Sequence, residues 1–112
     1  MKAEVKEING VKIVRMVGQV RISTQNDFKD ALDEIVKDSQ GRPVVLNMDG
    51  IAYMNSTGLG IIIDTYKKIK DSNGRLILCN LLPDIMNLFE VTRLNRFIEI
   101  CATESEAISK AS

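Results

Sequence analysis

The chain has 112 residues, of which 45% are hydrophobic and 27% charged. Its 15 Lys plus Arg balance 15 Asp plus Glu, which excludes a disordered chain, an acidic tail and a basic nucleic-acid face. There is no histidine, so His-dependent nucleophiles, His phosphorelay and imidazole metal sites are excluded, and neither a metal nor a cofactor is expected.

Residues 3–8 alternate weakly and Val11 to Val17 is strand-like, with Asn9-Gly10 between them. Asn-Gly joining two such runs predicts an antiparallel hairpin. Gly18 to Ser23 reads as a loop. Thr24 is an expected N-cap, and Phe28, Ala31, Leu32, Ile35 and Val36 recur on one face of a helix. Gly41 and Pro43 end that helix, and Val44 to Met48 is a short buried strand. A second helix is predicted from Ser56 to Asp71, stopped by Asn73-Gly74, and a strand from Leu76 to Cys79 follows. Pro83-Asp84 opens a third helix with Ile85, Leu88 and Phe89 inward. Phe97 to Cys101 reads as a last strand, and Thr103-Glu104-Ser105-Glu106 as the capping box of a short final helix.

The order ββαβαβαβα predicts one α/β domain over residues 1–112. It has a mixed, mostly parallel sheet, an N-terminal hairpin and about four helices. Cys79 and Cys101 lie in apolar runs without a CxxC spacing, which predicts buried free thiols in a reducing compartment. No apolar run is long enough to span a membrane, and the N-terminus lacks a signal-peptide pattern; a cytoplasmic protein is expected.

One segment is not generic. In 49–60, Asn55, Ser56 and Thr57 stand at the mouth of the second helix, and Gly58 and Gly60 fall in its first turns. A helix cap explains Asn55 or Ser56 alone. Glycine inside a helix costs about 0.5–1 kcal/mol relative to alanine, so two of them imply tight packing or a close approach by another chain. Phasing the helix at about 100° per residue puts Leu59, Ile62, Ile63, Tyr66 and Ile69 inward. Thr57, Gly60, Ile61, Asp64 and Lys68 then point outward, with Ile61 as an apolar residue facing water. Asp49, Asp64 and Asp84 are not paired by spacing, and an enzyme is not expected.

Tyr53-Met54-Asn55-Ser56-Thr57-Gly58-Leu59-Gly60 resembles the signature of STAS domains, specifically the bacterial anti-sigma-factor antagonists, whose motif is aromatic-Met-Asp-Ser-Ser/Thr-Gly-Leu-Gly. The likeness extends to Val17-Gly18-Gln19-Val20, to Val44-Val45-Leu46-Asn47-Met48 and to the stretch from Leu82 to Leu94. It implies a partner-switching regulator of transcription that binds an anti-sigma factor with serine kinase activity and so releases a sigma factor. Phosphorylation on Ser56, with Thr57 as the fallback acceptor, ends that binding, and a phosphatase restores it. The partner-binding residues expected, from this resemblance together with the outward face of the helix, are Arg21, Asn55, Thr57, Gly58, Gly60, Ile61 and Asp64, on a chain monomeric when free. No nucleic acid and no membrane insertion are implied. Asn55 and Arg21 each stand where the family pattern carries an acid. The alternative is a stand-alone STAS subunit of a transporter or signalling scaffold, without a kinase cycle.

Overall fold

Asn9 and Gly10 both take positive φ, 54° and 79°, the backbone that a two-residue hairpin turn requires. They join β1 (Lys2–Ile8) to β2 (Val11–Val17) in antiparallel register, Ile8 opposite Val11 and Lys2 opposite Val17. The computed structural model describes all residues 1–112. After the hairpin follow α1 (Gln25–Ser39), β3 (Pro43–Gly50), α2 (Ser56–Asp71), β4 (Arg75–Cys79), α3 (Pro83–Val91), a 3-10 turn (Leu94–Arg96), β5 (Glu99–Cys101) and α4 (Glu104–Ala111).

The five strands lie in sequence order, and every pair after the hairpin is parallel. Each crossover therefore steps the same way across the sheet, which puts the crossover helices on one face. Val14, Met16, Val44, Leu46, Met48, Leu76 and Leu78 face them and form one core with Phe28, Leu32, Ile62, Ile69, Ile85 and Phe89. The alternate residues Val11, Ile13, Val45, Ile77, Cys79 and Cys101 form a smaller core under Ala107 of α4. Residues 44–48 are buried without a break because both faces of β3 are covered. Cys79 and Cys101 are buried free thiols, and burial pushes Cys79 up to about 12. No helix is long and apolar enough to cross a membrane.

Three expectations are corrected. The last strand begins at Glu99, not Phe97. The preceding residues close a 3-10 turn whose N-cap, Arg93, sits in the left-handed region, and Phe97 is left 69% exposed. The Thr24 side chain does not cap α1; it accepts from Arg21 N at 2.9 Å and donates to Gln19 O, so it closes the preceding turn instead. The inward stripe of α2 is Gly58, Ile62, Thr65 and Ile69. Ile61 is half-buried against the main core rather than facing water. Lys68, two turns on, reaches Asp33 of α1 at 3.5 Å, so this side of α2 lies along α1.

Candidate functional site

The site is built where β2 and β3 run past the sheet. A register shift between Arg15 and Val17 sets Val17 opposite Gly50, and a Cβ on Gly50 would lie 2.7 Å from Met16 O. Glycine there lets the two chains converge. They stay together beyond the sheet through a parallel bridge between Val20 and Met54. Val20 N donates to Tyr53 O and Asn55 N to Val20 O, both at 3.0 Å. The Gln19 side chain clasps the second loop, its Oε1 accepting from Ala52 N at 2.8 Å and Tyr53 N at 2.5 Å. The loops around 18–24 and 49–58 are thus one rigid unit at the C-terminal end of the strands, where open α/β sheets collect functional groups.

Asn55 caps α2. Its Oδ1 accepts from Gly58 N at 2.8 Å, and its Nδ2 donates to Gln25 Oε1 at 2.9 Å. The amide serves both loops with one side chain, because it carries an acceptor and a donor. An aspartate would keep the cap but bring only acceptors. The uncharged amide also forgoes the few tenths of a kcal/mol to about 1 kcal/mol that an acid gains from the helix dipole.

Ser56, the first residue of α2, is exposed, as are Thr57, Gly60 and Asp64. These residues form the open side of the first turns of α2, with Asp64 ion-paired to Lys68 at 3.1 Å. Gly58 is different. A Cβ there would meet Met54 Cγ at 2.6 Å and Val20 Cγ1 at 2.7 Å, whereas one on Gly60 would meet nothing within 4 Å. Gly58 is therefore required by packing between the loops, and Gly60 is not.

Arg21 is exposed and lies over the Tyr53 ring, 5.0 Å from its centroid. With Ile22, Ser23 and Asn55 these two residues line a shallow depression beside the mouth of α2. Ile22 is 86% exposed and Tyr53 48%. Sequence reasoning did not single out Gln19, Ile22 or Gln25.

A STAS domain model matches residues 2–107. The chain is 27% identical over 110 residues to the anti-sigma F factor antagonist of Paenibacillus polymyxa, covering 98% of this chain and 94% of that one. It is 31% identical over 104 residues to the anti-sigma-B factor antagonist of Listeria monocytogenes, covering 92% and 90%. The fold matches that of the Bacillus cell fate determinant SpoIIAA in its phosphorylated form, with a TM-score of 0.72 at 19% identity, over 99% of this chain and 100% of that one. The chain belongs to the STAS domain family.

Proposed function

We propose that the protein is an anti-sigma factor antagonist whose unmodified form binds an anti-sigma factor with serine kinase activity, and that phosphorylation of Ser56 ends the binding. The observation that carries this reading is the exposed Ser56 at the capped start of α2, inside a loop pair held rigid by Gln19, Val20 and Asn55. An exposed hydroxyl next in the chain to Asn55, which lines a depression with Tyr53 and Ile22, suits a surface that a partner covers and a kinase reaches. The names of the relatives from Paenibacillus and Listeria support the same reading.

Phosphorylation adds about −1.5 to −2 charge and three acceptor oxygens. At a helix N-terminus that charge is locally favourable, since free backbone N–H groups point at it. The modification therefore acts between molecules rather than by unfolding the domain. A loss of about 3–4 kcal/mol at the interface weakens a complex a few hundredfold, enough for a switch. The face offered to the partner comprises Arg21, Asn55, Ser56, Thr57, Gly60 and Asp64, with Ile61 at its edge and Gly58 supporting it from beneath. A phosphatase returns the protein to its binding form.

The test is titration of the protein against the anti-sigma factor kinase of its own organism, with mass spectrometry after addition of ATP. Wild type is expected to bind and to gain one phosphate on Ser56, and Ser56→Asp to bind at least tenfold more weakly. A phosphate on Thr57 alone, or equal affinity for Ser56→Asp, overturns the assignment. Arg21, on the turn beside Asn55, is proposed to hold the phosphate through charge-assisted hydrogen bonds. Phosphorylated wild type is then expected to melt above the unmodified form, with that gain erased in Arg21→Asp; equal gains in both backgrounds remove Arg21 from the phosphate.

A further inference from the structure

The far half of α2 carries a second exposed surface, with no part in the Ser56 site. Phe97 is 69% exposed and stands between two hollows. One, of about 260 Å³, is lined by Ile63, Tyr66, Leu94, Phe97 and Ile98, with Lys67 and Lys70 at its rim. The other lies between Tyr66, Lys70, Leu76 and Phe97, beside the ion pair of Arg75 with Glu99. An aromatic side chain exposed between an apolar hollow and a more polar one has the form of an interface anchor, since binding energy concentrates in buried aromatic residues and the pockets around them.

The charge around this surface is one-sided. Lys67 and Lys70 are exposed and make no ion pair, although Asp71 adjoins Lys70 in the chain. Lys70 lies over the Tyr66 ring, 5.8 Å from its centroid, so its charge is held at the edge of the apolar floor. The one carboxylate lining either hollow, Glu99, is neutralised by two hydrogen bonds from Arg75 at 2.6 and 2.7 Å. In a chain with no net charge, this patch is apolar in the middle and cationic at the rim.

We infer that the surface around Phe97, Tyr66 and Lys70 docks an acidic segment of a partner protein, one that carries bulky apolar side chains between its carboxylates. The apolar side chains fill the hollow lined by Ile63, Leu94, Phe97 and Ile98, and the carboxylates meet Lys67 and Lys70. Ser56 and Lys70 are 14 residues apart on one helix, about 21 Å along its axis. That separation exceeds the Debye length of about 8 Å at physiological salt, so a phosphate on Ser56 leaves this docking unchanged. The surface is thus a second contact that persists through the switch.

The test is NMR titration of the full chain with a short acetylated peptide of alternating Glu and Leu or Phe, and with its counterpart in which every Glu is Lys. The acidic peptide is expected to shift the amides of Ile63, Tyr66, Lys70, Leu94, Phe97 and Ile98. Phe97→Ser, and separately Lys67→Glu with Lys70→Glu, are expected to weaken it by about tenfold or more, which is 1.4 kcal/mol. Raising the salt to about 1 M, where the Debye length is about 3 Å, is expected to weaken it as well. Ser56→Glu is expected to bind the peptide like wild type. Melting temperatures of all variants check that each is folded; if Phe97→Ser is not, the double Lys variant carries the test. No shifts at millimolar peptide, shifts elsewhere on the molecule, or equal binding of the basic peptide overturn the inference. So does self-association of the free chain that is lost in Phe97→Ser, which would assign the face to a second copy.

Discussion

Asn47, buried on β3, donates its Nδ2–H to Glu104 Oε2 across 2.8 Å, and Glu104 is the first residue of α4. Lys6 of β1 meets the other oxygen of the same carboxylate at 2.9 Å. Asn47 Oδ1 in turn accepts from Asp49 N at 3.0 Å. One carboxylate therefore ties the last helix to strands at the edge and centre of the sheet. The polar pair lies beside the smaller core that α4 covers.

The hydrogen bond from Asn47, then that from Lys6, holds the Glu104 carboxyl below its ordinary value of 4.5. A depressed carboxylate contributes stability that is fully present above the unfolded value and lost as pH falls through the folded one. The stability of wild type to urea is therefore expected to fall from about pH 5 downward, and Glu104→Gln to flatten part of that acid limb. Asn47→Ala is expected to cost about 1–3 kcal/mol at neutral pH, the cost of removing a buried hydrogen-bond partner. Identical acid limbs in wild type and Glu104→Gln would show that other carboxylates set the pH dependence.

The two glycines of α2 are expected to respond in opposite directions. Gly58→Ala forces a methyl against Met54 and Val20 and should destabilise by about 1–3 kcal/mol. Gly60→Ala meets nothing and should stabilise by about 0.5–1 kcal/mol. If the open side of α2 binds the anti-sigma factor, Gly60→Ala should also lower affinity while raising the melting temperature. Unchanged affinity would place Gly60 outside the interface.

Ile61→Asp and Ile62→Asp are both expected to destabilise, the second more. Ile62 is fully buried, and a charge there has no partner. Ile61 is half-buried on the side of α2 that lies along α1, so its carboxylate is partly solvated. Thermal melts that leave Ile61→Asp at the wild-type temperature would return Ile61 to the solvent face.

Cys79 is expected to be inert in the native protein. Burial pushes its thiol up to about 12, and the thiolate is the reactive form. A thiol reagent at about pH 8 should label Cys79 at the rate of global unfolding and at once in urea. Fast labelling of the native protein would point to local opening of the sheet under α4.

The hairpin, the order of elements along the chain and the caps of α2 and α4 were legible because local chemistry fixes them. Asn9-Gly10 supplies two positive φ values, Asn55 accepts from Gly58 N, and Thr103 accepts from Glu106 N. The motif from Tyr53 to Gly60 likewise marked out the candidate site. Only the tertiary structure decided which way α2 turns. Its residues 59, 61, 62, 63, 66 and 69 are apolar or aromatic around much of the helix, so periodicity leaves several stripes in competition. The position of α1 selects the one through Gly58, Ile62, Thr65 and Ile69. The same holds for Thr24, whose hydroxyl is drawn to Gln19 O and away from the helix it precedes, and for Phe97, which an apolar run placed inside and a 3-10 turn left outside. Periodicity marks which residues share a side, but contact with other segments decides which side is buried.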